Sequence, residues 1–163
     1  MNSSTSRPTV LVVDDMPANL QLISELLCDL YHVRIATSGA QALQIVERAI
    51  PDLILLDVMM PEMDGHEVCR RLKADPRTQE VPILFLSARN QDEDECLGFE
   101  LGATDYLFKP INPPTLMARV QTQLRLKATA DLLRSQNSYL DQEILARTRE
   151  LQAIHDVKTA AST

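Results

Sequence analysis

An open, doubly wound α/β fold with a parallel sheet is predicted by three features of the sequence: short apolar runs, helical stretches between them, and a polar residue closing each run. Runs of four to six apolar residues suit strands covered on both faces, as parallel sheets are. Strands alternating with helices imply right-handed crossovers and a layered sheet. The first strand is expected at 9–13 (Thr9-Val10-Leu11-Val12-Val13), the weaker second at 32–36, the third at 52–57, the fourth at 82–87 and the fifth at 105–108. Helical periodicity lies between them. Leu20, Ile23, Leu26, Leu27 and Leu30 recur at three and four, as do Ala42, Leu43, Val46 and Ala49; Val68, Arg71 and Leu72 follow Asp64-Gly65, and Leu97 and Leu101 precede Gly102. After Pro113-Pro114, helix signals run from Thr115 to about Val157 without Gly or Pro, and much of so long a helix is expected to project from a compact domain.

Composition narrows the function. A hydrophobic share of 45% can fill a core, and with aromatics at 4% and no Trp that core must be Leu, Ile, Val and Ala. A net charge of -7 and the lack of a basic run argue against a nucleic-acid surface. No stretch approaches a membrane span, and the polar start lacks the apolar segment of a signal peptide. Cys28, Cys69 and Cys96 are scattered through helix-like segments and form no metal motif. They are expected as buried or half-buried free thiols in a reducing cytoplasm. His32, His66 and His155 are read as surface or capping residues, and Met59, Met60 and Met63 as adaptable packing.

The chemistry sits at the ends of the runs. Asp14 and Asp15 close the first, Asp57 the third, Ser87 the fourth and Lys109 the fifth. Open α/β sheets bind ligands beyond the carboxyl ends of their strands, so these five residues should gather at one rim. Three crowded carboxylates repel, and a divalent cation is the natural remedy; an all-oxygen, partly hydrated site favours Mg²⁺, with Mn²⁺ possible. Lys109 adds a fixed positive charge and Ser87 a hydroxyl, which together make a cradle for a phosphoryl group. Asp57, central in the cluster, is the expected nucleophile, since carboxylates form aspartyl-phosphates.

With those residues placed, the chain resembles a response-regulator receiver domain of two-component signalling. The resemblance is carried by Val12-Val13-Asp14-Asp15, by Asp57-Val58-Met59-Met60-Pro61-Glu62-Met63-Asp64-Gly65, by Leu86-Ser87-Ala88, and by Gly102-Ala103-Thr104-Asp105-Tyr106-Leu107-Phe108-Lys109-Pro110. It implies a five-stranded, flavodoxin-like sheet in order 2-1-3-4-5. It further implies that Asp57 accepts a phosphoryl group from a sensor histidine kinase or phosphotransfer protein. Asp15, Asp57 and the Met59 backbone carbonyl would ligate Mg²⁺, Asp14 would contribute through water, and Lys109 would pair with the phosphoryl oxygens. Ser87 would be the switch hydroxyl, Tyr106 the aromatic that moves with it, and the Lys109-Pro110 bond cis. Met59 and Arg89 depart from the commonest choices beside the phosphoryl site. Such a chain is no enzyme beyond its own phosphotransfer and dephosphorylation.

Beyond the receiver a seven-residue pattern appears. Leu126, Leu133, Leu140, Arg147 and Ile154 take one seam position, and Ala130, Asn137, Ile144 and Leu151 the other, as in a parallel two-stranded coiled coil whose register Asn137 would set. The segment from Leu140 to Leu151 is similar to the linker joining receivers to HD-GYP cyclic-di-GMP phosphodiesterase domains, an output expected to lie outside this chain. The organisation expected is a disordered tail at 1–8, a receiver at 9–126, an extended coiled-coil helix at 127–158 and a disordered tail at 159–163. Two other readings compete: a receiver-like scaffold that works without phosphorylation, and a haloacid-dehalogenase-type phosphatase. The second lacks both the Asp-x-Asp nucleophile motif and a cap.

Overall fold

The structure is a computed structural model describing residues 6–88 and 102–161. Its elements are β1 (Thr9–Val13), α1 (Pro17–Leu27), β2 (His32–Ala36), α2 (Gly39–Arg48), β3 (Leu53–Asp57), α3 (Gly65–Ala74), β4 (Ile83–Ala88), β5 (Asp105–Lys109) and a long helix, here α4 (Pro113–Ala161). The expected helix around Leu97 and Leu101, together with Cys96 and Arg89, lies outside the described residues. The five strands form one sheet in the order β2-β1-β3-β4-β5, every neighbouring pair parallel, which is the flavodoxin-like order the sequence led us to expect.

Successive strand residues face opposite sides of the sheet, so the continuous apolar runs feed two separate cores. Leu11, Val13, Ile54, Leu56, Ile83, Phe85 and Tyr106 meet α2 and α3 on one side. Val10, Val12, Leu53, Leu55, Leu84, Leu86 and Leu107 meet α1 and the start of α4, through Leu116 and Val120, on the other. β3 is buried at all of its positions, and β2, the edge strand, is mostly exposed. That contrast explains why the second run reads so weakly in the sequence.

Local chemistry sets the helix starts. Ser38 caps α2 by accepting the Gln41 N–H, Asp64 caps α3 by accepting that of Glu67, and Asn112 accepts the Thr115 N–H at the head of α4. Pro17 opens α1 and Pro113 opens α4, where a missing N–H costs nothing. The chain divides into two compact units, residues 1–127 and 128–163. In the first, the Lys127 ammonium lies 3.6 Å from an Asp52 oxygen, and the other Asp52 oxygen accepts the Thr9 N–H at 2.8 Å. The second unit is helical to Ala161, and Leu133, Leu140, Ile144, Leu151 and Ile154 are all exposed.

Several expectations need correction. Thr159–Ala161 are helical, not a disordered tail: no Gly or Pro stops the helix there, two residues are Ala, and the Thr159 hydroxyl donates back to the His155 carbonyl. Pro8 is likewise tied to the fold, its carbonyl accepting the His32 N–H at 2.9 Å. Cys28 is an exposed free thiol at the end of α1, whereas Cys69 is buried and its thiol is pushed up to about 11 by that burial. Met60 and Met63 pack against the core as expected, but Met59 is 62% exposed. His66 is buried, its ring edge-on to Phe85, because position 66 falls on the sheet-facing side of α3.

Gly65 is where helix and sheet approach most tightly. A Cβ there would lie 2.3 Å from the Asp57 carbonyl oxygen, and the Gly65 N–H donates to the Val58 carbonyl at 2.9 Å. Helix propensity alone favours Gly65→Ala, yet the clash is with backbone that cannot yield. Gly65→Ala is expected to destabilise the domain by about 2 kcal/mol or more, read from urea unfolding midpoints. Equal or greater stability would show that α3 can slide away from β3.

Candidate functional site

Register brings the polar strand ends together. Val13 lies beside Leu56, so Asp14 follows β1 next to Asp57 at the end of β3. Asp57 lies beside Leu86, placing Ser87 one residue further along β4, and Ala88 lies beside Lys109 on β5. Parallel strands all run one way, so their final residues necessarily share one rim. Among the described residues, Asp14, Asp15 and Asp57 each offer a carboxylate oxygen, and these oxygens lie within 4.8 Å of one another.

The three carboxylates are not alike. Asp14 is fully buried and engaged at both oxygens: Oδ1 accepts the Met16 N–H at 2.9 Å, while Oδ2 accepts from the Asn19 side-chain amide at 3.1 Å and pairs with Lys109 Nζ at 3.2 Å. Asp15 is exposed. Asp57 is buried, its Oδ1 accepting the Met59 N–H at 3.2 Å and its Oδ2 lying 3.2 Å from Lys109 Nζ. Lys109 thus stands between two buried carboxylates. Even so, burial, and then the Asp14 charge, push the Asp57 carboxyl up to about 6, with Lys109 and the Met59 N–H offsetting only part of the rise. Among the described residues the rim carries more negative than positive charge, and its carboxylate oxygens suit a hard divalent cation.

Ser87 is buried at the end of β4, where its hydroxyl donates to the Ala88 carbonyl at 3.2 Å. Tyr106 is buried with its ring 5.4 Å from that of Phe85, and Phe85 in turn stacks edge-on with His66 at 5.2 Å. The β3–α3 loop turns sharply, with Glu62 at a φ of 67°. The Lys109-Pro110 peptide bond is cis, and Arg119 pairs with Asp105 beneath β5. Asp14, Asp15, Asp57, Ser87 and Lys109 therefore share the predicted rim, with Met59 in the loop just beyond β3. Sequence reasoning missed Asn19 and the Met16 N–H, which hold Asp14 in place. The signal was present, since Asn19 is an indifferent helix former in the first turn of α1, five residues after Asp14.

Comparison with known proteins agrees with this geometry. A family model described as the response regulator receiver domain matches residues 10–121. The probable cyclic di-GMP phosphodiesterase of Vibrio cholerae is 46% identical over 151 residues, covering 93% of this chain and 34% of that protein. Response regulator PleD of Caulobacter vibrioides is 45% identical over 130 residues, covering 79% of this chain and 29% of that protein. The chain thus spans about a third of the length of these curated relatives. Among solved structures, the Vibrio cholerae chemotaxis protein CheY4 superposes with a TM-score of 0.69 at 36% identity, covering 72% of this chain and 98% of that one. A receiver domain of a signal transduction histidine kinase from Syntrophus aciditrophicus gives 0.68 at 31% identity, covering 72% and 90%. On its motifs, its strand order and these matches, the chain belongs to the response regulator receiver family.

Proposed function

We propose that Asp57 accepts a phosphoryl group from a histidine kinase or phosphotransfer protein in a Mg²⁺-dependent reaction, and that the C-terminal helix carries the change onward as a homodimer. The observation that carries the reading is a single ammonium, Lys109, within 3.2 Å of both Asp14 and Asp57 at a rim holding three carboxylates. Asp15, Asp57 and the Met59 carbonyl would hold the cation, with Asp14 acting through water. Bound there, Mg²⁺ (or Mn²⁺) supplies positive charge that keeps Asp57 ionised and neutralises the incoming phosphoryl oxygens. An Asp57 carboxylate oxygen attacks phosphorus in line. The bond from phosphorus to the donor's imidazole nitrogen breaks, and its electron pair leaves with the imidazole. Lys109 then turns from Asp57 to the phosphoryl oxygens. Ser87 follows as a switch hydroxyl, and Tyr106 is the aromatic whose packing reports the switch.

The output reading rests on two supports. Similarity to the Vibrio cholerae phosphodiesterase extends over 151 residues, past the receiver and into α4, which favours a cyclic-di-GMP phosphodiesterase of the HD-GYP type as the output domain. The exposed seam of Leu133, Leu140, Ile144, Leu151 and Ile154 suits burial against a second copy of the same helix, with Asn137 setting a parallel register. Among the described residues no helix is long and apolar enough to cross a membrane, in keeping with a cytoplasmic site of action.

Mass spectrometry after incubation with acetyl phosphate should show a single phosphoryl adduct with Mg²⁺, none with EDTA, and none in Asp57→Ala. An adduct that persists in Asp57→Ala would refute the assignment. Light scattering should give a dimer for the native chain and a monomer for Leu140→Glu, because a buried seam cannot take an unpaired charge; a native monomer would sink the dimeric output. The raised Asp57 carboxyl makes a third test. Its unfolded value is near 3.8 and its folded value about 6, so between them the folded state holds a proton that the unfolded state has lost. Metal-free protein should therefore lose stability as pH rises through that window, on the order of 3 kcal/mol more than Asp57→Asn loses. Added Mg²⁺ should restore it above pH 6. Parallel pH curves for the two proteins would mean that Asp57 is not held in a strained charge environment.

A further inference from the structure

We infer that Asn19 is a positioning residue of this site: its side-chain amide holds the buried Asp14 carboxylate so that Lys109 is free to move to the phosphoryl group. The inference rests on the phosphoacceptor reading of Asp57. Asp14 is fully buried, so each of its oxygens must keep a partner or cost heavily. Oδ1 has a permanent one in the Met16 N–H at 2.9 Å. Oδ2 has two, Lys109 Nζ at 3.2 Å and Asn19 Nδ2 at 3.1 Å. The nitrogen of the amide must face Asp14, since its oxygen would set acceptor against acceptor.

The two partners of Oδ2 differ in what they can do. Lys109 is a flexible ammonium also 3.2 Å from Asp57 Oδ2, and a phosphoryl group on Asp57 would draw it away with extra negative charge. Asn19 is neutral and anchored in the first turn of α1, its own N–H donating to the Met16 carbonyl at 3.1 Å. It stays when the ammonium leaves. Without it, Oδ2 would depend on Lys109 alone, and transfer of the ammonium to phosphate would strip a buried carboxylate of its partner. The local cost points the same way. Asn is a poorer helix former than Ala or Leu, and α1 has no side-chain cap at Met16, yet the Asn19 amide goes to Asp14.

The test is Asn19→Leu, which keeps the branched shape and number of heavy atoms, improves helix propensity and removes the donor, beside Asn19→Gln, which keeps the amide. Three quantities are measured on the full chain: the phosphorylation rate with acetyl phosphate at saturating Mg²⁺, the Mg²⁺ affinity by amide shift titration, and the urea midpoint. In metal-free protein, the ¹³C shift of the Asp14 carboxyl and the Lys109 ε-CH₂ signal are also compared. Asn19→Leu should phosphorylate roughly ten-fold more slowly. Its Mg²⁺ affinity should change far less than its rate, its urea midpoint should be unchanged or higher, and both NMR signals should be displaced. Asn19→Gln should regain at least part of the rate. A native rate in Asn19→Leu overturns the inference, as does a rate loss matched by equal losses of metal affinity and stability that Asn19→Gln does not recover. If the native chain takes up no phosphoryl group, the phosphoacceptor reading has failed and this inference with it; if the native chain is labelled and Asn19→Leu is labelled equally fast, this inference alone has failed.

Discussion

The ammonium of Lys109, shared between two buried carboxylates, is the interaction on which the site depends. Parallel pairing forces the ends of β1, β3, β4 and β5 to one rim, and three of the residues delivered there carry negative charge. Burying a carboxylate without compensation costs several kcal/mol, and Lys109 offsets that cost at both Asp14 and Asp57, beside the amide donors that each accepts from. The compensation is incomplete, as the raised Asp57 carboxyl shows. That deficit suits the rim to a cation.

The same shortage of positive charge explains why the carboxylates divide their work. Asp14 is committed to protein donors on both oxygens and acts as a fixed post. Asp15 is open to solvent, and Asp57 is held through one oxygen by the loop that follows it. Gly65 allows that loop to fold back so closely that α3 begins against the Asp57 backbone. Packing beneath the rim and the site above it therefore meet in one loop: α3 begins against the Asp57 backbone, and the loop before it supplies the Met59 N–H that Asp57 Oδ1 accepts.

The fold was largely legible because both its signals are local. Runs such as Leu53-Ile54-Leu55-Leu56 can be buried on two faces only in a layered sheet, and the capping residues Ser38, Asp64 and Asn112 announce the helices that cover it. Two departures come from contacts between residues distant in the chain: polar His66 is drawn into the core beside Phe85, and Pro8 is held by the edge of the sheet. Two others are local: Cys28 is exposed where α1 ends, and no Gly or Pro stops the last helix before Ala161.

For the site, the sequence by itself determined which residue types arrive at the rim, because a strand's last residue is set by where its apolar run stops. Only the tertiary structure decided how they share one another's charge. Whether Lys109 pairs with one carboxylate or two, and whether Asp14 is open or fully occupied, depends on strand register and on Asn19 reaching across from α1. Those are distances between atoms far apart in the chain, and Coulomb and hydrogen-bond energies are functions of distance, not of order along the sequence.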